Sequence, residues 1–144
     1  MKAFDQIAVF GCKATTLFLL NNLDIPWKIR HLITISPEAG QKHEVADYAD
    51  LKQIASDKGI RVYQARYYSL KHPDDQAYIR SLNLDIAFVI GWQRLIPEEV
   101  LSGLSVGAFG MHGSSMNLPL GRGRSPMNWS IIEGRRSFYT NLFR

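Results

Sequence analysis

One histidine in this sequence lies among residues whose types could perform chemistry on a bound ligand. His112 follows a small, apolar, strand-like run at residues 105–111, and a loop rich in glycine and proline comes next. This loop carries Arg122 and Arg124 and leads into a helix that we predict over residues 126–133. An imidazole can transfer protons near neutral pH, and guanidinium groups bind anions. The pattern therefore predicts a ligand site at a sheet edge, with His112 as an acid–base or oxyanion-stabilising group.

The positive charge of the chain is concentrated in its last quarter. Residues 1–109 contain 12 basic and 12 acidic side chains, so their charges balance. Residues 110–144 contain five arginines and a single acidic residue, Glu133, which accounts for the net charge of +4. Such asymmetry predicts an anionic ligand, such as a phosphate, a carboxylate or a nucleic acid. A solvated basic face is the alternative explanation.

Alternating strand and helix patterns must position these residues. We predict strands at residues 6–10, 29–35, 60–64, 85–90, 105–111 and 137–144, and helices at residues 14–22, 51–58, 73–82, 97–101 and 126–133. Residues 37–47 resemble a polar loop. Near-continuous apolar strands are typical of parallel sheets that are buried on both faces. The sequence thus predicts one doubly wound, mostly parallel α/β domain over residues 1–144, incomplete at its C-terminus near the sixth strand.

Other candidate sites have ordinary structural explanations. The turn after the first strand has one glycine, Gly11, which is too few for the dinucleotide-binding pattern of an oxidoreductase. Cys12 is the only cysteine and is expected to be a small buried residue. His31, His43 and His72 lack metal-ligand spacing, so we predict structural or surface roles and no metal site, with His43 as the first exception to test.

No part of the sequence has the pattern of a membrane or export segment. The apolar runs are shorter than a bilayer span, and the N-terminus lacks the apolar core of a signal peptide. A lone cysteine is compatible with a reducing compartment. We therefore expect a cytoplasmic protein with no membrane partner.

The residues around His112 resemble the formyltransferase family, whose members use 10-formyltetrahydrofolate as formyl donor. His112 and Ser114 match the His-x-Ser of the family motif. The matches that follow are Leu118, Pro119, Arg122 and Gly123 in the loop, then Pro126, Asn128, Trp129 and Gly134 in the helix and at its end. Upstream, residues 91–97 are similar to the pterin-binding loop of the family.

The resemblance implies transfer of a formyl group from 10-formyltetrahydrofolate to a primary amine. The acceptor would be a nucleotide sugar, an aminoacyl-tRNA or a small amine. In the family the histidine stabilises the tetrahedral intermediate, a role that His112 would take here. The implied donor-binding residues are Arg94, Leu95 and Ile96, and the implied substrate-binding residues are Ser114, Arg122 and Arg124.

Two departures from the family pattern leave alternatives open. The catalytic asparagine of the family falls two residues before the histidine, where this chain has Gly110, although Asn117 in the loop could reach back. The catalytic aspartate of the family falls beyond residue 144. Both departures imply that these residues alone are nearly inactive, and they favour a non-catalytic relative that binds folate or a nucleotide. A nucleic-acid-binding module that uses residues 122–144 is a further alternative, and strongly salt-dependent binding would identify it.

Overall fold

The computed structural model describes residues 4–144, in which strands alternate with helices. The strands are β1 (Ile7–Phe10), β2 (Ile29–Thr34), β3 (Arg61–Gln64), β4 (Ile86–Val89), β5 (Gly107–Ser114) and β6 (Tyr139–Phe143). The helices are α1 (Ala14–Asn22), α2 (Pro37–Lys42), α3 (Lys52–Asp57), α4 (Pro73–Ser81), α5 (Glu98–Leu101) and α6 (Pro126–Ile132). The strands form one sheet in the order β3-β2-β1-β4-β5-β6. The chain divides into two compact units, a first unit that ends at Ala108 and a second unit, Phe109–Arg144.

Parallel strands form the sheet of the first unit. Strand β1 pairs in parallel with both β2 and β4, and β2 pairs in parallel with β3. Successive strands therefore add on one side of β1 as far as β3, and β4 then adds on the other side. This reversal is a topological switch point, and ligands of open α/β sheets bind where the strands end beside it.

Both faces of this sheet are covered, as a doubly wound fold requires. On one face Val9 and Leu32 pack with Leu20 of α1 and Ala55 of α3. On the other face the core includes side chains from β1, β2, α4 and α5, namely Ala8, Phe10, Ile33, Ile79 and Val100. Burial on both sides explains why the strands are almost continuously apolar. The predicted mostly parallel α/β sheet is confirmed.

The second unit contains an antiparallel pair of strands and one helix. Strand β6 runs antiparallel to β5, with Gly110 opposite Phe143 and His112 opposite Asn141. Helix α6 begins with Pro126 at its first position, where the missing N–H of proline costs no hydrogen bond. Most side chains of this unit are exposed.

Two predicted elements are corrected by the structure. Residues 37–47 do not form a loop throughout, because α2 occupies Pro37–Lys42. The Ser36 hydroxyl accepts a hydrogen bond from the N–H of Ala39 and caps this helix, a signal that its polar composition concealed. The predicted fifth strand, at residues 105–111, was placed too early, because β5 runs from Gly107 to Ser114 and therefore contains His112 instead of ending before it.

No helix within residues 4–144 is both long enough and apolar enough to span a lipid bilayer.

Candidate active site

Strand β5 places His112 on a sheet face together with a side-chain amide. Side chains alternate between faces along a strand, so Gly110, His112 and Ser114 share one face of β5. The residue opposite His112 on β6 is Asn141, which lies on the same face. The sequence did not reveal this neighbour because neither the antiparallel pairing nor its register could be derived from the residue pattern.

A backbone carbonyl fixes one nitrogen of the imidazole. The Nε2 atom of His112, a half-buried residue, lies 3.2 Å from the carbonyl oxygen of Gly121. A carbonyl oxygen can only accept a hydrogen bond, so Nε2 must carry the proton. In the neutral ring, Nδ1 then has a free lone pair, and the imidazole of His112 forms no second hydrogen bond with the residues that the structure describes. This geometry therefore leaves Nδ1 as the ring nitrogen that can accept a proton.

Side-chain hydrogen bonds hold the loop after β5. The Ser114 hydroxyl accepts a hydrogen bond from the N–H of Met116 at 3.0 Å, and Ser114 is 1% exposed. The Asn141 amide donates to the carbonyl oxygens of His112 and Met116 and accepts from the N–H of Leu118, at 3.3–3.4 Å. These contacts hold the start of the loop against β5. Ser114 thus supports the loop, and its predicted role in substrate binding stays a prediction.

Gly110 provides space for an aromatic ring from β6. A Cβ atom at Gly110 would lie 2.7 Å from the ring edge of Phe143. The position of the family asparagine is therefore filled by a neighbouring side chain. Asn117, the alternative amide in the loop, is exposed. Asn141 is the amide that the strand register places beside His112.

The two arginines of the loop are available to a ligand. Arg122 and Arg124 are both exposed, and neither forms an ion pair with any residue between 4 and 144. In the same unit, Arg135 forms an ion pair with Glu133 at 2.9 Å. The predicted role of Arg122 and Arg124 in substrate binding remains a prediction.

In the first unit, the loop after β4 presents the predicted donor-binding residues. Trp92 is buried and packs edge-on against Tyr68 at 4.8 Å between ring centroids. The Arg94 guanidinium lies 5.2 Å from the centroid of the same Tyr68 ring, which is a cation–π contact. Leu95 is 94% exposed, whereas Ile96 is half-buried and packs against the core. An anchored loop thus leaves one apolar side chain uncovered.

A buried tyrosine and a buried cysteine lie beneath this loop and contact it or each other. The Tyr68 hydroxyl accepts a hydrogen bond from the N–H of Gln93 at 3.0 Å and lies 3.7 Å from the sulfur of Cys12. Burial raises the pKa of Cys12 and also that of Tyr68. Both groups stay neutral at physiological pH, which favours a structural role and argues against a nucleophilic cysteine. The prediction that Cys12 is buried is confirmed.

Tight packing joins the turn after β1 to the start of the β4 loop. A Cβ at Gly11 would lie 2.2 Å from the Thr16 hydroxyl, and a Cβ at Gly91 would lie 2.4 Å from the same oxygen. Gly91 also has a φ of +79°, a conformation that glycine adopts readily. The Thr16 hydroxyl donates to the carbonyl of Ile90 at 2.7 Å, so both turns meet at one hydroxyl group.

The remaining histidines have local structural contacts. His31 is buried and its Nε2 lies 3.0 Å from the side-chain oxygen of Gln6. His72 caps α4 by accepting a hydrogen bond from the N–H of Asp74. His43 is exposed, with its ring 5.6 Å from that of Tyr68. Within residues 4–144 no three His, Cys, Asp or Glu side chains form a cluster suited to a metal ion.

Comparison with protein families shows which group of proteins shares these features. The profile of the formyl transferase family matches residues 8–138. The chain belongs to the formyl transferase family. The match includes both the loop after β4 and the segment around His112, so the family expected from the sequence is confirmed.

Solved structures of two formyltransferases and of a deformylase have the same fold. Phosphoribosylglycinamide formyltransferase from Anaplasma phagocytophilum has a TM-score of 0.70 and 17% identity over 97% of this chain. Glycinamide ribonucleotide transformylase 1 from Geobacillus kaustophilus has a TM-score of 0.72 and 16% identity over 97% of this chain. Formyltetrahydrofolate deformylase from Burkholderia mallei has a TM-score of 0.65 and 15% identity, again over 97% of this chain.

These three relatives are longer than the present chain. The present chain spans 64% of the Anaplasma protein, 73% of the Geobacillus protein and 48% of the Burkholderia protein. The fold is therefore shared over nearly all of this chain and over part of each relative. The Rossmann-like formyltransferase fold predicted from the sequence is confirmed.

Proposed function

We propose that this protein binds 10-formyltetrahydrofolate and transfers its formyl group to a primary amine, as a cytoplasmic enzyme whose N-terminal, donor-binding part includes residues 1–144. The observation that carries the proposal is the family match over residues 8–138, which includes His112 and the loop after β4. The geometry at His112 adds chemical support, because a backbone carbonyl holds its imidazole as a potential base.

The loop after β4 has features that suit a flat, partly apolar ring such as a pterin. Leu95 is 94% exposed, so nothing else in the described chain covers its side chain. Arg94 is held against Tyr68, and Ile96 is anchored in the core. Apolar side chains next to a few fixed polar groups are typical of cofactor pockets. Arg94, Leu95 and Ile96 would therefore contact the donor.

The proposed reaction needs a group that accepts one proton and returns it. The acceptor nitrogen attacks the formyl carbon, a new C–N bond forms, and the carbonyl oxygen becomes an oxyanion. Nδ1 of His112 accepts a proton from the attacking amine. The bond between the formyl carbon and N10 of the donor then breaks, and the imidazolium returns the proton to N10. The formyl group is transferred with no oxidation or reduction.

The exposed arginines favour an acceptor with an anionic part. Arg122 and Arg124 lie in the loop that carries the carbonyl partner of His112. Guanidinium groups bind phosphate and carboxylate through paired hydrogen bonds. A phosphorylated small amine, a nucleotide sugar and an aminoacyl-tRNA all meet this requirement, so the acceptor class is open to direct screening.

Calorimetric titration with a stable analogue of 10-formyltetrahydrofolate tests donor binding. We expect saturable binding that Leu95→Asp weakens at least about tenfold, because a charge at this position would oppose burial against the pterin. Phe18→Asp is a matched control, since Phe18 is also exposed, at 70%, but lies on α1. Absence of binding by the unmodified chain, or equal losses in both variants, would contradict the donor assignment.

Formyl transfer is then assayed with amine acceptors of the three classes and detected as a mass increase of the acceptor. We expect activity that His112→Asn reduces by about 10²–10⁴-fold, the usual contribution of a general base. Donor binding without transfer to any acceptor would favour the non-catalytic relative instead. Binding of unrelated RNA that disappears with added salt, together with no affinity for the donor analogue, would favour the nucleic-acid-binding module.

A further inference from the structure

We propose that Gly121 is a positioning residue that fixes the tautomer of His112. Its carbonyl oxygen lies 3.2 Å from Nε2 and requires a proton there, which leaves Nδ1 as the basic nitrogen. The opposite tautomer would direct a nitrogen lone pair at the carbonyl oxygen, and the two would repel each other. The catalytic meaning of this arrangement rests on the function proposed above, whereas the tautomer itself does not.

Only glycine fits at position 121. Its φ is +68°, in the left-handed region that residues with a Cβ rarely adopt. A Cβ there would also lie 1.9 Å from the Ser114 hydroxyl and 3.1 Å from the Cβ of Met116. The loop backbone can therefore approach β5 closely enough to reach His112 only because residue 121 has no side chain.

The groups around Gly121 are themselves held in place. Ser114 is 1% exposed, and its hydroxyl accepts a hydrogen bond from the N–H of Met116 at 3.0 Å. The Asn141 amide contacts the backbone of Met116 and Leu118 from the neighbouring strand. The carbonyl of Gly121 thus belongs to a loop that is anchored to both β5 and β6. Such anchoring is what the precise orientation of a catalytic base requires.

The decisive experiment records the imidazole ¹⁵N signals of His112 in alkaline buffer, where free imidazole is neutral. The full chain is labelled, and the signal is assigned with His112→Asn. In the unmodified protein we expect two widely separated ¹⁵N shifts, with the proton on Nε2. In Gly121→Ala we expect the two shifts to converge, because exchange between tautomers becomes possible. Converging shifts in the unmodified protein, or a proton on Nδ1, would overturn the proposal.

Gly134→Ala is the matched control for backbone strain. Gly134 has a φ of +61°, close to that of Gly121, and nothing lies within 4 Å of a Cβ placed there. This variant should lose only the stability that backbone strain costs and should keep the tautomer of the unmodified protein. If Gly121→Ala does not fold, the double variant Gly121→Ala/Ser114→Gly removes the conflict with the Ser114 side chain, the severest one, while retaining the backbone strain. Unchanged ¹⁵N shifts in a folded Gly121 variant would contradict the proposal.

Kinetics separates this inference from the proposed function. Gly121→Ala should lower kcat for formyl transfer by about 10–10²-fold, as expected for a misplaced base, and should leave the affinity for the donor analogue unchanged. Gly134→Ala should retain full activity. If the unmodified protein transfers no formyl group, the proposed function fails, but the NMR result still decides the tautomer. If transfer occurs and both variants have the same kcat, Gly121 is not a positioning residue.

Discussion

The two units of this formyl transferase domain differ in how their residues are held. All the buried apolar side chains of the described residues belong to the first unit, from Ile7 to Val100. In the second unit, large apolar side chains such as Ile131 and Leu142 are more than 70% exposed, and the buried side chains are the polar Ser114 and Ser130. The first unit is thus stabilised by a hydrophobic core. The second unit depends on strand pairing, close-packed glycines and side-chain hydrogen bonds.

This difference explains where the candidate base is found. His112 lies in the unit without an apolar core, where the free energy of local opening is expected to be lower. Its orientation therefore depends on specific contacts such as the carbonyl of Gly121. A binding or catalytic segment of this kind can adjust to a ligand while a separate core maintains the fold.

The largest expected effect concerns apolar side chains. Phe10 is fully buried and packs edge-on against Trp92, whereas Ile131 of α6 is 73% exposed. Phe10→Ala should lower the free energy of unfolding by about 3–5 kcal/mol through lost burial and a cavity. Ile131→Ala should change it by less than about 0.5 kcal/mol. Urea denaturation followed by circular dichroism measures both values. Similar losses in the two variants would mean that the second unit also has a core.

The next effect compares the polar contacts of the two units. Asp75 is fully buried and accepts hydrogen bonds from the Tyr63 hydroxyl and from the N–H groups of Arg66 and Tyr67, at 2.8–3.1 Å. Asp75→Ala should cost about 3 kcal/mol, because three donors lose their acceptor. Asn141→Ala should cost less than about 1 kcal/mol, since its hydrogen bonds are longer, at 3.3–3.4 Å, and are not fully buried. The same denaturation measurement applies, and the reverse ranking would refute this comparison.

Close-packed glycines provide a third comparison. A Cβ at Gly11 would lie 2.2 Å from the backbone oxygen of Ile90, which cannot move easily. At Gly110 the obstacle is the ring edge of Phe143, a side chain that is 44% exposed and can rotate outward. We expect Gly11→Ala to cost about 1–3 kcal/mol, as overpacking does, and Gly110→Ala to cost less than about 1 kcal/mol. Thermal unfolding of both variants checks this, and a larger loss for Gly110→Ala would show that Phe143 is rigid.

The smallest effect is a pH dependence within the first unit. Burial, followed by the nearby positive charges of Arg61 and Arg30, lowers the pKa of His31. The unfolded chain therefore binds a proton more readily, so the contribution of His31 is full above about pH 6.5 and is lost as the pH falls through its lowered pKa. Between pH 7 and pH 5, His31→Gln should lose less stability than the unmodified protein. Urea denaturation at both pH values measures this difference. If the variant and the unmodified protein lose the same free energy of unfolding between pH 7 and pH 5, His31 does not have this role.

The sequence predicted the first unit well because its signals are local and repeated. Apolar strands, helix-starting residues such as Pro73 and helix-ending residues such as Gly59 each act within a few positions. The helix at Pro37–Lys42 was missed because its residues are polar and its cap lies in Ser36. Here, local hydrogen bonding outweighed the lack of an apolar pattern.

The second unit was predicted less completely because its key contacts join distant positions. The family motif indicated His112, yet its carbonyl partner lies nine residues away in an irregular loop. Asn141 faces His112 only through the register of two antiparallel strands, which depends on the whole hairpin. Phe143 occupies the space beside Gly110, and this too is a contact between positions distant in the sequence. The sequence thus identified the candidate base, His112, whereas the structure was needed to find the residues around it, Gly121 and Asn141.

The meeting of Gly11 and Gly91 at the Thr16 hydroxyl has a consequence for the design of variants of this protein. Neither glycine can be enlarged alone, since each would strike the same oxygen atom. These three positions are therefore sterically coupled, and any library of variants should leave them unchanged. Substitutions are better made at neighbouring exposed positions, such as Gln93 and Arg94. Side chains there can be exchanged without disturbing the packing around Thr16. Such variants would change the exposed surface of the loop on an unchanged scaffold.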